Sequence, residues 1–249
     1  MPDGPDRWQG QAPAFAEPAG AAAAVERIER ALAAARTDSL SEAAFRLAHA
    51  RSALEGLKPE RLEPRRGLAG LFDSRKGRLR RFREAYRLAA ASLSDLTGDL
   101  SGRVEGAAPR SGMLDGVWAE VRDALVALDA HLLAASAYPL EGRRAALHAS
   151  RATALSALPL IRAAQNADTR AAEALSRSGE GVALWRADWN EALGLSGKRP
   201  KTVRPNRERL LGSRDDLLAR IDRALAELTA SRARRADVEG RMAELGRPL

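Results

Sequence analysis

The sequence predicts an all-α fold, an elongated antiparallel helical bundle with coiled-coil-like packing, and three observations predict it. Ala and Leu, both strong helix formers, supply 53 and 35 of the 249 residues. Val, Ile and Thr together number 17, and aromatic residues make up 4% of the chain, too few to fill the pleated face of a sheet. Apolar residues recur three and four apart through most of the chain, the period of an amphipathic helix. Ala buries little area, at roughly 25 cal/mol per Å². The core should therefore be thin, with closely packed helices.

Residues 1–20 mix Pro2, Pro5, Pro13 and Pro18 with Gly and polar residues. Such a segment buries too little to order itself, and a disordered tail is expected. A helix is expected from Ala21 to Arg36, with Val25, Ile28, Leu32 and Ala35 on one stripe. Ser39 and Glu42 have capping-box spacing and start a second helix carrying Leu47, Leu54 and Leu57.

Pro59, Pro64, Gly67, Gly70 and Gly77 then make a loop of the segment from Lys58 to Gly77. The following helix carries Leu79, Phe82, Tyr86, Ala89, Leu93, Leu96 and Leu100 at alternating spacings of three and four, a coiled-coil-like seam. Residues 101–112 read as a Gly/Pro/Ser linker. The next helix, from Met113 to about Ala137, carries Leu114, Val121 and Leu128. Pro139 opens another, holding Leu147, Leu155, Leu158 and Ile161, which Pro159 should kink or split.

A shorter helix from Gly179 to Gly194 carries Trp185 and Trp189, large residues for so Ala-rich a chain. They read either as core or as a partner-binding hot spot. Ser213 caps a last helix with Leu218, Ile221, Leu225 and Leu228. Arg232 and Arg235 interrupt its seam, so this helix either packs on the body or projects as an arm that pairs with another copy. The organisation expected is a tail (1–20), a helical bundle (21–195), a basic linker (196–212) and the C-terminal helix (213–249).

The net charge of +8 is local. From Lys58 to Arg87 there are eleven basic residues against four acidic, a balance of +7. From Lys198 to Arg209 there are six against one, a balance of +5, which leaves −4 for the remainder. No Cys is present, which excludes disulfides, thiolate metal sites and Cys nucleophiles within this chain. His49, His131 and His148 have no partner at a metal-ligand spacing, and Gly67–Gly70 lacks the Lys-Ser/Thr ending of a phosphate loop. Asp215 and Asp216 suit the positive end of a helix dipole. No catalytic constellation, cofactor site or metal site is read from the sequence. No signal sequence and no apolar run of about 20 residues is seen, so a cytoplasmic protein, peripheral at most to the inner membrane, is expected.

The candidate interaction surface is the basic loop and helix start: Arg65, Arg66, Arg75, Lys76, Arg78, Arg80, Arg81 and Arg83 around the apolar Leu68, Leu71 and Phe72. These cations either hold phosphates, on anionic lipid or nucleic acid, or pair with acidic residues of neighbouring helices. A nucleic-acid role has no reading motif and no interleaved aromatics behind it.

The order of Leu57-Lys58-Pro59, then Arg66-Gly67-Leu68-Ala69-Gly70-Leu71-Phe72, then Arg81-Phe82-Arg83-Glu84-Ala85-Tyr86 resembles the toxic-anion-resistance proteins associated with tellurite resistance. Val117-Trp118 and Leu158-Pro159-Leu160-Ile161-Arg162-Ala163-Ala164-Gln165-Asn166 are similar to later segments of that family. The chain departs from the family pattern in being shorter, in Pro159, and in Gln165 where the family has Asn. The resemblance implies a cytoplasmic, non-enzymatic helical protein of stress response that acts through protein partners or at the membrane. A basic nucleic-acid-associated protein is the alternative.

Overall fold

The computed structural model describes residues 41–64, 74–135, 141–196 and 204–245. The expected tail, the expected helix at 21–36, Ser39, and Arg65, Arg66, Leu68, Leu71 and Phe72 lie outside the described residues. Among the described residues four helices make the fold: α1 (Ser41–Gly56), α2 (Arg75–Ala135), α3 (Glu141–Ala192) and α4 (Arg207–Leu245). A single 3₁₀ turn, Pro59–Leu62, follows α1. No strand occurs among the described residues.

Side-chain pairs fix the register. Tyr86 meets Asn190, Arg110 meets Asp168 and Arg151 meets Asp129, so α2 and α3 run antiparallel in constant register. Arg209 meets Asp188 and Arg235 meets Asp168, so α4 runs antiparallel to α3. Arg51 meets Asp222 and Arg103 meets Glu42, which sets α1 antiparallel to both α4 and α2.

The α2 helix is 61 residues long, about 90 Å at 1.5 Å per residue. The other helices are shorter, so the bundle thins along its length. The main core joins all four, with Leu47 and Leu54 from α1, Leu93 from α2, Leu175 from α3 and Ile221 from α4. A second core joins three, through Leu114, Val121, Ile161, Val238 and Met242. Towards the end of α2 and the start of α3, two of the described helices remain, packed through Ala124, Leu128 and Leu147. Buried Ala at 43, 50, 154, 157, 164, 167, 171 and 174 lets the helices approach closely, as composition requires.

Two expected breaks do not occur. Residues 101–112 are helical, and α2 passes through Pro109 without interruption. Likewise α3 runs unbroken through Pro159 and absorbs the expected separate helix at 179–194. A proline within a helix costs about 3 kcal/mol through its missing N–H and ring clash. Both prolines face solvent, where water can hydrate the carbonyls they release. Their neighbours Arg110, Leu114, Leu160 and Ile161 are tied into the interior and hold the axis. Pattern corrections are small: Leu155, expected on the inward stripe, is 43% exposed, and Ala154 and Ala157 take the interior.

The glycines of this stretch are not needed for close approach. A methyl group added at Gly102, Gly106 or Gly112 would meet open space. Gly106→Ala should therefore raise the unfolding free energy by about 0.5–1 kcal/mol, read from urea midpoints. A loss of stability would show that residues 101–112 are not helical in solution. Gly181 is the contrast: a Cβ there would sit 2.9 Å from Cδ of Arg220, where α4 lies against α3.

The start of α4 also differs from expectation. It begins at Arg207 rather than at Ser213, because the Asn206 side chain accepts the Arg209 N–H at 3.1 Å and caps the helix. The helix packs on the body along its length instead of projecting, with Leu217, Ile221, Leu228, Val238 and Met242 buried. Arg232 is exposed, and Arg235 enters the interior because Asp168 meets it there.

Candidate anion-docking end

Antiparallel connectivity places the end of α1, the start of α2, the end of α3 and the start of α4 at one end of the bundle. That is where both basic segments of the sequence lead. From Arg75 to Arg87 there are seven basic residues against Glu84, a balance of +6. Arg204, Arg207, Arg209 and Arg214 arrive beside them on α4 and its approach.

An aromatic cluster holds this end rigid. Phe82 and Tyr86 on α2 pack against Trp185 and Trp189 on α3, with ring centroids 5.0–5.8 Å apart. All four side chains are buried. This corrects the hot-spot expectation for Trp185 and Trp189: they are core, and a partner cannot reach them. The Tyr86 hydroxyl lies 2.9 Å from Oδ1 of Asn190 and 3.2 Å from the Arg186 carbonyl, so its proton has an acceptor. Burial pushes the phenol up to about 12, against the opposing charge of Arg186.

The α3 helix closes beside the cluster. Gly194 adopts φ 64, the Leu195 N–H bonds back to the Asn190 carbonyl at 2.7 Å, and the Gly194 N–H bonds to Glu191. This is a Schellman cap, which uses Gly because the left-handed conformation carries no Cβ penalty there. Arg83 satisfies the exposed helix end by donating Nε and Nη2 to the Leu193 carbonyl, at 2.9 and 2.5 Å.

The arginines divide between two roles that the sequence left open. Some are consumed by the fold. Arg78 donates to the Leu62 carbonyl and Arg214 to that of Leu57. Arg207 pairs with Glu63, and Arg209 bridges Asp188 and Glu191, whose hydrogen bonds raise its pKa further. Arg75 and Arg81 also have interactions within the chain. Lys76, Arg80 and Arg87 are exposed and have no carboxylate partner among the described residues. With Arg83 they fall at spacings of four, three and four, one stripe of α2.

Two clefts flank the start of α2. One, about 730 Å³, is lined by Lys58, Arg61, Arg78 and Arg81 but also by Glu60 and Glu63. The other, about 670 Å³, is lined by the stripe itself, with Glu84 as its single acid among the described residues and Gly194 and Leu195 as its far wall. The second is the more electropositive and is the candidate site.

Arg83 was the member of the sequence-predicted set whose position required the fold, since its role depends on where α3 ends. Arg87 was missed as a site residue, although its spacing from Arg83 and Arg80 was visible. Comparisons with family models, with curated proteins and with solved structures find no match to this chain. The likeness to toxic-anion-resistance proteins therefore rests on the sequence motifs alone.

Proposed function

We propose that this chain is a non-enzymatic helical interaction protein whose basic end docks on an anionic membrane surface, at the inner face of the membrane. The observation that carries the proposal is the stripe Lys76, Arg80, Arg83 and Arg87, which is aligned and backed by a rigid aromatic core. Each basic residue near an anionic bilayer contributes about 1 kcal/mol, so four supply about 4 kcal/mol, enough for reversible recruitment. No described helix is long and apolar enough to cross a membrane, so attachment would be peripheral. The motif resemblance to toxic-anion-resistance proteins supports the same reading.

Nucleic acid is the weaker reading because the aromatic side chains described at this end are in the core. Bases have no stacking platform among Phe82, Tyr86, Trp185 and Trp189.

Co-sedimentation with vesicles tests the proposal. Binding is expected to vesicles containing anionic lipid, to be absent with zwitterionic lipid, and to fade with salt. Reversing Lys76, Arg80 and Arg87 to Glu together should weaken binding at least about 100-fold. Tight DNA or RNA binding with a steep salt slope and no lipid binding would overturn the proposal.

A further inference from the structure

One side of the α1–α2 pair is open. Phe45, His49, Ser52 and Gly56 fall four, three and four residues apart on one stripe of α1, and all four are exposed. Ala85, Leu88, Ser92 and Asp95 form the matching stripe of α2. Phe45 and His49 line a cleft of about 390 Å³ together with Ser92 and Asp95, while Gly56 and Ala85 share the larger cleft nearer the basic end. The two stripes therefore border one groove. Phe45 and Leu88 are 73% and 76% exposed. Seven of the eight positions carry no formal charge at pH 7, in a chain in which 30% of residues are charged. A single exposed Phe or Leu needs no explanation, but an aligned and uncharged double stripe does.

The chain itself supplies the cover. Residues 21–36 have the period of an amphipathic helix, with Val25, Ile28, Leu32 and Ala35 on one stripe. Residues 37–40 alone separate that segment from the start of α1 at Ser41. A connection of four residues joins antiparallel neighbours, so the segment has to return along α1. Its 16 residues match the 16 of α1, about 24 Å each as helices. Two grooves flank the buried face of α1. The one towards α4 is crossed by Arg51, which pairs with Asp222 and with Glu55. The one towards α2 is bridged near the start of α1, where Glu42 meets Arg103 and Arg46 meets Asp99. From Phe45 onward its walls are the two uncharged stripes.

We propose that residues 21–36 form a helix that lies in the α1–α2 groove. Antiparallel register about the turn sets Leu32 opposite Phe45 and Ile28 opposite His49, and carries Val25 to the level of Ser52, towards Leu88. The apolar stripe of the segment then meets the apolar members of both walls. A helix of this length is marginally stable by itself, so its order depends on that contact. Burial takes Phe45 and Leu88 out of water, which favours the docked arrangement. Residues 1–20 then leave at the basic end of the bundle, level with Gly56.

Hydrogen exchange on the full chain, without lipid, tests it. Backbone amides of residues 25–36 should exchange at least about 100-fold more slowly than in an unstructured peptide. Phe45→Glu with Leu88→Glu should speed that exchange at least about 10-fold and leave the amides of the main core unchanged, since both residues are exposed. Ile28→Glu with Leu32→Glu should do the same from the side of the segment. The chain has no Cys, so introduced thiols report geometry cleanly. Val25→Cys with Leu88→Cys should cross-link within one chain on oxidation. Val25→Cys with Leu184→Cys, at an exposed position of α3, should not. Amides of residues 25–36 that exchange at the unstructured rate would overturn the proposal. So would protection indifferent to the Phe45 and Leu88 substitutions. A Val25–Leu88 cross-link formed only between copies would assign the groove to a second chain, and the proposal would fail.

Discussion

Replacing Asp168 by Ala is expected to destabilise the fold by about 3–5 kcal/mol, the largest effect of any single charged residue. The Asp168 carboxylate accepts from Nε of Arg110 at 2.7 Å and from Nη1 of Arg235 at 3.0 Å. The three side chains come from α3, α2 and α4, and are 13%, 17% and 6% exposed. Removing the carboxylate leaves two guanidinium groups in the interior with their shared counter-charge gone. The cost is that of keeping guanidinium charge largely buried without this carboxylate, not the net value of the triad. Replacing the whole triad by apolar residues, Asp168→Leu with Arg110→Met and Arg235→Met, should therefore be close to neutral or stabilising. Urea unfolding of both variants checks the pair. If the single and triple variants lose the same stability, the ion triad is not what holds these helices.

Trp189→Ala should cost about 3–5 kcal/mol. The side chain is fully buried and packs on Phe82, Tyr86 and Trp185, with ring centroids 5.8, 5.5 and 5.0 Å away. Few other aromatic side chains exist in this chain to fill the gap, and the surrounding Ala cannot collapse into it. Trp189→Phe should cost much less, below about 2 kcal/mol. The indole N–H of Trp189 is buried with no hydrogen-bond partner, and an unmet donor costs about 1–3 kcal/mol. Phe removes that penalty while keeping most of the ring. Thermal or urea unfolding of the two variants should thus separate volume from polarity. Equal losses would show that the indole N–H is satisfied by water in solution. The same substitutions bear on the proposed docking, because this cluster packs beneath the basic stripe.

Much of this was legible from residue spacing. The seam from Leu79 to Leu100 is the inward stripe of α2, buried from Phe82 onward, and the stripe through Leu114, Val121 and Leu128 continues it. Spacing revealed these because a helix repeats every 3.6 residues whatever it packs against. The two basic segments were also visible, since charge is counted directly. Their convergence was not, because it depends on antiparallel packing of helices separated by more than a hundred residues.

Local signals misled where tertiary contacts outweighed them. The Gly, Ser and Pro of 101–112 do weaken an isolated helix. In this fold Arg110, Ser111 and Leu114 are held by Asp168, Gln165 and the second core, and solvent hydrates the outward Pro109. Pro159 follows the same rule. The start of α4 was misplaced because Ser213 and Asn206 are both competent caps, and only the neighbouring bundle decides how far the helix extends.

By itself, the sequence determined the helical class, the inward stripes, the thin Ala-lined core and the local concentration of basic charge. These are properties of neighbouring residues and of composition. Only the tertiary structure decided which arginines the fold consumes and which remain on the surface. It also placed Trp185 and Trp189 in the core and assigned Arg235 to Asp168. Each of those outcomes depends on which distant carboxylate, carbonyl or ring lies within a few ångströms, and periodicity along the chain carries no information about that.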